Sequence, residues 1–431
     1  MVDEKQFKLF TSYNPEDNTI SKDTYQKHNI KHGLRNDDGT GVLVGITHIA
    51  EVVGYDLVDG KRIPKDGELY YRGINVDDLI EGVEKDHRFG FEETTYLLLF
   101  NKLPNKKELE QFVSVLKKYE AFPDNYLEDV ILKIPADNIM NKLQRAFLTL
   151  YSYDPKADDI SVLNVLNQSL SLIAKTPLIM IYSYYVKRHH FDHESLILHK
   201  PKKEYSVSEN ILHMLRHDQK FTDEEAKLLD VLMMVQAEHG GGNNSTFATH
   251  VVSSTGTDTY SALATAIGSL KGPKHGGANL KVKDMLENIK ANVENYWEKD
   301  ALEAYLKRML QKEVYDKKGL IYGIGHAVYT KSDARVRIVK RKCIALAKEN
   351  ACDKELQLIL NLEEIGGRLI KEAKGLDFTP SGNIDLYASF VMEMLKIPQE
   401  LYTPLFAASR MAGWSAHRPE HSLDTKIMRP R

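Results

Sequence analysis

Four short segments in the second half of the chain combine histidine or aspartate with glycine, so that a polar side chain stands beside bare backbone able to approach a ligand. The first is Glu238-His239-Gly240-Gly241-Gly242-Asn243-Asn244-Ser245. A helix end with a nearby core histidine would need one glycine, and three followed by two asparagines exceed that need. The second is Gly272-Pro273-Lys274-His275-Gly276-Gly277-Ala278-Asn279. A histidine at the start of the following helix would be kept neutral by the positive end of the helix dipole. It could then donate one hydrogen bond to a developing enolate oxygen; an exposed linker histidine is the alternative. The third, Tyr322-Gly323-Ile324-Gly325-His326-Ala327-Val328, runs on to Lys331, Asp333 and Arg335, placing a cation and an acid catalyst near one loop. The fourth, Gly382-Asn383-Ile384-Asp385, stands before the apolar stretch Leu386 to Leu395. Spacing alone makes Asp385 a helix N-cap.

Arg410 lies inside the apolar stretch Leu405 to Trp414. A buried guanidinium needs an anion, and its planar fork fits a carboxylate, whether bound or supplied by an internal Asp or Glu. By residue type alone Arg429 and Arg431 read as a solvated basic tail. The chain has 58 Lys and Arg against 61 Asp and Glu, a net charge of −3 in 431 residues. Such balance draws in neither nucleic acid nor anionic lipid, and an anionic substrate must be met by local cations. The two cysteines, Cys343 and Cys352, form neither a metal-type pair nor a disulfide scaffold and suit a reducing compartment. His189, His190, His193 and His199 lie in a basic stretch from Lys187 to Lys203 that reads as a solvated loop rather than a metal site, since no regular spacing fixes them. No HExxH occurs, which argues against a histidine-metal hydrolase.

The elements that must position these residues are mostly helices. Residues 1 to about 40 read as a polar arm with one short helix. Val42-Leu43-Val44 and Leu69-Tyr70-Tyr71 are β-like, set off by Asp59-Gly60 and Asp66-Gly67 turns. Apolar residues then recur at three- and four-residue steps over Val76 to Phe100, Lys106 to Leu116, Asn138 to Tyr151, Ser161 to Tyr185 and Asp223 to Glu238. Thr222 with Glu225 makes a capping box, and Thr403-Pro404 supplies a cap and an N1 proline for the Leu405 to Trp414 helix. No glycine fingerprint follows a strand, so a nucleotide-binding α/β fold is excluded. The longest apolar run, Pro177 to Val186, is too short to cross a bilayer. The opening Met1-Val2-Asp3-Glu4-Lys5 has neither an apolar h-region nor the acid-poor start of a transit peptide, so a cytoplasmic protein is expected.

The runs from His239 to Phe247, Gly272 to Asn279 and Gly325 to Tyr329 resemble the signature segments of citrate synthases, in that family's order and at about its spacing. Gly41 to Thr47, Leu69 to Asn75, Ser208 to Met214 and Phe406 to His417 extend the resemblance over roughly residues 30 to 431. It implies a mainly α, two-domain helical fold with a few short β pieces near the N-terminus. Residues 1–276 and 386–431 would form the large domain, with a small helical domain, 277–385, inserted in it. It further implies a homodimer that condenses acetyl-CoA with oxaloacetate, without a metal or other cofactor.

Carried over motif by motif, the resemblance makes Asp385 the base that removes a thioester methyl proton. His275 would stabilise the resulting enol, and His326 would polarise the oxaloacetate ketone. His239, Arg335 and Arg410 would hold the dicarboxylate, and Arg429 would reach the neighbouring subunit's site. Thr330 departs from the pattern, standing where some members carry a basic residue that contacts CoA. The nearest rival activity is 2-methylcitrate synthesis from propionyl-CoA, because one methylene changes binding by only about 1–3 kcal/mol. A helical binding protein without turnover is the rival of another class, and the presence of all three catalytic side chains argues against it.

Overall fold

The computed structural model describes residues 22–27, 30–36, 40–59, 61–349, 352–422 and 426–429. The chain divides into two units, Met1–Ile46 and Thr47–Arg431. In the first, a short helix, α1 (Lys22–Lys27), precedes a 3-10 turn at His32–Leu34, and Arg35 bridges Gly41. Val42 to Val44 do not form the expected strand. Val42 N donates to Leu34 O at 2.9 Å, and without a neighbouring strand to supply a ladder the segment stays irregular, with Leu43 83% exposed.

The second unit opens with an antiparallel sheet of β1 (Ala50–Val58), β2 (Lys61–Tyr71) and β3 (Ile74–Asn75) in sequential order. Asp66-Gly67 is not a turn but lies within β2. The β1–β2 register slips there, from Val53 opposite Glu68 to Tyr55 opposite Pro64, so the ladder bulges around Gly54 and Lys65 to Gly67. Among the described residues, the regular elements after the sheet are helices: α2 (Val76–Lys85), α3 (Phe91–Phe100), α4 (Lys106–Tyr119), α5 (Ile139–Leu150), α6 (Val162–Phe191), α7 (Val207–Leu215) and α8 (Asp223–Gln236). Then follow α9 (Asn244–Ser253), α10 (Thr259–Lys271), α11 (Ala278–Asn292), α12 (Lys299–Leu310), α13 (Ala334–Glu349), α14 (Asp353–Lys374), α15 (Ile384–Met394) and α16 (Tyr402–Ser422). The fold is mainly α, as the sequence pattern requires.

Val76 to Phe100 is two helices rather than one. His87 takes φ 52° in the break, and the buried Asp230 carboxylate accepts from Gly90 N and Phe91 N, giving α3 a cap borrowed from α8. The Thr222–Glu225 capping box forms as the sequence indicates. Thr403 does not cap. A 3-10 turn at Gln399–Leu401 runs into α16 one residue earlier, and Thr403 Oγ1 instead donates to Gly276 O at 3.1 Å, tying α16 to the His275 turn.

The core is built on α6 and α16. From Leu172 to Lys187 every residue of α6 is buried, so this helix is enclosed all round, and α16 packs along it while also meeting α9 and α10. Where α16 passes the end of α8, Gly413 allows near contact between backbones. A Cβ there would meet Glu238 Oε2 at 2.1 Å and Ala237 O at 2.5 Å. Gly413→Ala is therefore expected to destabilise the protein by about 1–3 kcal/mol or more, the usual range for overpacking. Chemical denaturation checks this, and an unchanged midpoint would show that the helices are free to separate there.

Candidate active site

The four glycine-rich segments converge. His239, His275, His326, Arg335, Asp385 and Arg410 all line a cavity of about 130 Å³, far above the ~10–15 Å³ that one water requires, together with Asn243, Asn279, Asn383 and Phe406. Each side chain arrives from a different part of the helical body: the end of α8, the α10–α11 turn, the loop after α12, the first turn of α13, the first turn of α15 and the middle of α16.

Two of these segments are stitched together by backbone. Gly325 N donates to Ser381 O at 2.8 Å, Asn383 N to Gly323 O at 2.8 Å and Asn383 Nδ2 to Gly325 O at 2.9 Å. Gly323 and Gly325 adopt φ of 83° and 86°, which side chains with a Cβ rarely tolerate. This pairing sets His326 and Asp385 in register. Asn383, not Asp385, is the N-cap of α15, its side chain accepting from Asp385 N at 3.1 Å. The capping role that spacing alone assigned to Asp385 is thus taken by its neighbour, and the Asp385 carboxylate faces the cavity.

The ring nitrogens of His326 are also specified. His326 Nδ1 accepts from Val328 N at 3.1 Å and Tyr329 N at 3.2 Å, so the proton of the neutral ring sits on Nε2. His275 does not occupy the first turn of α11; it precedes the Gly277 cap, with Nε2 2.9 Å from Ser245 Oγ. Its neutrality has another source than the one expected. Burial, and then the Arg410 charge, bring it down to about 4. Burial and Arg335 bring His326 to about 4, and burial with the surrounding cations holds His239 well below its ordinary value. All three rings are neutral near pH 7.

Asp385 is pushed up to about 6 by burial, with Arg335 and Arg410 pulling the other way. The two arginines differ. Arg335 holds Asp333 in a fork, with Nε–Oδ1 at 2.9 Å and Nη2–Oδ2 at 2.7 Å. Arg410 donates through Nε to Gln236 O and stacks over Phe406, but among the described residues its buried Nη2 has no hydrogen-bond partner. His239 Nε2 is likewise buried and unpartnered. Burial brings Arg410 down to about 10. The unpaired, buried Arg410 Nη2 is a donor that an anion would satisfy.

Behind this wall lies a network in which the sequence suggested no role. The buried His417 imidazole stands 3.3 Å from Glu238 and 3.0 Å from His250, and Glu420 accepts from Thr47 Oγ1 and His48 N. Burial opposes a charge on His417, but Glu238 and Glu420 overcome it and raise the ring to about 9. Tyr71 takes up Glu238 N and the carbonyls at the end of α8. The only sequence sign of this layer was that Glu238 and His417 bound the motif runs. Arg429 is exposed and absent from the cavity lining, in a segment pinned by Met428 N on Ser254 Oγ at 2.9 Å; Arg431 lies outside the described residues. In the histidine-rich stretch, His189 bonds Glu194 O and His199 bonds Gln219.

The model of the citrate synthase C-terminal domain matches residues 38–431. The chain belongs to the citrate synthase family. It is 33% identical to citrate synthase 2 of Bacillus subtilis over 369 residues, covering 85% of this chain and 90% of that one. It is 30% identical to the 2-methylcitrate synthase of Shewanella oneidensis over 362 residues, covering 84% and 87%. The crystal structure of citrate synthase from Thermotoga maritima superposes with a TM-score of 0.71 at 30% identity, covering 93% and 94%. Among the described residues no helix is long and apolar enough to cross a membrane.

The raised Asp385 pKa has a consequence for stability. The folded state retains a proton that the unfolded chain releases near its ordinary value, so the site loses stability as pH rises from about 4 to about 6 and carries the full penalty above that. Asp385→Asn removes the penalty. It is expected to stabilise the protein by about 1–3 kcal/mol at pH 7–8 and by much less at pH 4, read by denaturant unfolding at both values. Equal effects at the two pH values would show that Asp385 is not held above its ordinary range.

Proposed function

We propose that this protein condenses an acyl-CoA thioester with oxaloacetate, acetyl-CoA giving citrate and CoA. The observation that carries the reading is the single cavity in which a buried carboxylate faces neutral imidazoles beside the unsatisfied Arg410 Nη2. Oxaloacetate brings two carboxylates, which Arg410 and His239 would hold with Arg335 as a second, already paired cation.

Asp385 takes a proton from the thioester methyl group. A thioester α-proton is far less acidic than a carboxylic acid, so the base succeeds only if charge on the enolate oxygen is stabilised as it forms. His275, whose Nε2 lies 2.9 Å from Ser245 Oγ, would stabilise that oxygen by a hydrogen bond from its neutral ring. The enol carbon attacks the ketone carbon of oxaloacetate, while His326 Nε2–H polarises the ketone oxygen and supports its conversion to the alcohol. Water then cleaves the thioester, releasing the tricarboxylate and CoA. His326 also borders a larger cavity of about 540 Å³ with Leu320, Ile324, Phe378, Pro380 and Lys374, and the acyl-CoA arm would enter along it. Segment 277–385 as an inserted smaller domain, a homodimer, and Arg429 acting on a partner's site are part of the same reading.

The test is CoA release with oxaloacetate and either acetyl-CoA or propionyl-CoA. Turnover is expected to fall ~10²–10⁴-fold in Asp385→Asn. Because Asp385 must be ionised, kcat/KM should decline as pH drops below about 6, with no contribution from His275 or His326 until near 4. Preference for propionyl-CoA would reassign the protein to 2-methylcitrate synthesis, the activity named for one of its relatives. No turnover with either thioester would overturn the catalytic reading.

A further inference from the structure

Thr330 occupies a position where the family resemblance offered no role, and the β1–β2 bulge supplies one. The slipped register leaves Gly54 and Lys65 without ladder partners. Thr330 Oγ1 donates to Gly54 O, with Lys65 O at 3.2 Å, so one hydroxyl engages the carbonyls that the bulge frees. Two residues on, Ser332 Oγ accepts from Gly67 N at 3.1 Å and donates to Asp66 Oδ1 at 2.9 Å. The contact is close enough to exclude any side chain. A Cβ on Gly54 would meet Val328 O at 2.5 Å and Tyr329 Cα at 2.6 Å; one on Gly67 would meet Ser332 O at 2.3 Å.

The segment gripped in this way is the one whose backbone fixes His326. Val328 N and Tyr329 N are the donors that hold His326 Nδ1. The same stretch runs through Asp333 to Arg335, whose guanidinium Asp333 orients. Through Thr330 and Ser332 the hairpin holds the chain from which both ring and guanidinium project.

We propose that the bulged β1–β2 hairpin is a strap that sets the 328–335 segment, and that Thr330 and Ser332 are positioning residues through which it fixes the tautomer and aim of His326. This rests on the catalytic reading above only for its effect on turnover. A strapped loop keeps two N–H groups aimed at Nδ1, and so presents Nε2–H to the ketone. A loosened loop lets the ring exchange tautomers and lose alignment, while the anion-holding donors His239 and Arg410, borne on α8's end and α16, stay in place.

Thr330→Val removes the hydroxyl at nearly constant shape, and Thr330→Ser restores it; Gly54→Ala forces the strap away by a separate route. Ring-nitrogen NMR of His326, assigned by its loss in His326→Asn, is expected to show the Nε2–H form in the wild type and in Thr330→Ser. Thr330→Val and Gly54→Ala should show averaging between tautomers. In turnover, Thr330→Val is expected to lose roughly 10–100-fold in kcat, the scale of a small misplacement, with little change in the oxaloacetate KM. A Thr330→Val protein with wild-type ring signals and unchanged kcat would overturn the strap, as would a defect that Thr330→Ser does not rescue. Absence of turnover in the wild type would instead count against the catalytic reading, and the ring signals would still decide the strap.

Discussion

A guanidinium buried without a matching carboxylate is the constraint around which this molecule is arranged. Arg410 is buried in the middle of α16, and its Nη2 finds no partner among the described residues. Desolvating such a group costs several kcal/mol, and the chain only partly offsets this with one carbonyl, one aromatic face and the field of Glu238. The residual demand for an anion is local and strong, in a protein of almost no net charge. Everything nearby is consistent with keeping that demand open. Asp333 occupies Arg335 and the Glu238 charge is shared with His417, so neither acid closes on Arg410.

The same burial sets the protonation of the groups around the cavity. One buried cavity raises a carboxylate and lowers imidazoles, so Asp385 becomes a stronger proton acceptor while His275 and His326 remain neutral. No separate device is needed for each residue, because desolvation acts on acids and bases in opposite directions. Backbone pairing between the His326 and Asp385 loops then converts shared environment into fixed geometry, and the β1–β2 hairpin braces the loop from outside.

Much of this was legible in the sequence. The helical periodicity and the capping box at Thr222 are legible in the residue pattern, and the six cavity-lining residues are picked out by the motifs together with the family resemblance. The errors have a common physical origin. Val42 to Val44, Asp66-Gly67 and Thr403-Pro404 each carry a strong local signal, but tertiary partners decide their structure: a strand needs a neighbour, a glycine may serve close approach, and a hydroxyl may prefer a distant carbonyl. Asp385 was ambiguous for the converse reason, since Asn383 two residues earlier is an equally good cap. The His417–Glu238 layer was hidden because its members are far apart in the chain and each is unremarkable alone.

The central claim is that Arg410 is a buried cation kept for an anion, and unfolding of Arg410→Met with and without oxaloacetate tests it most directly. Without ligand, the variant should be as stable as the wild type or more so, because an uncompensated charge has been removed. Oxaloacetate should raise the melting temperature of the wild type and leave that of the variant nearly unchanged. A variant markedly less stable without ligand, or one that oxaloacetate stabilises as much as the wild type, would contradict the account.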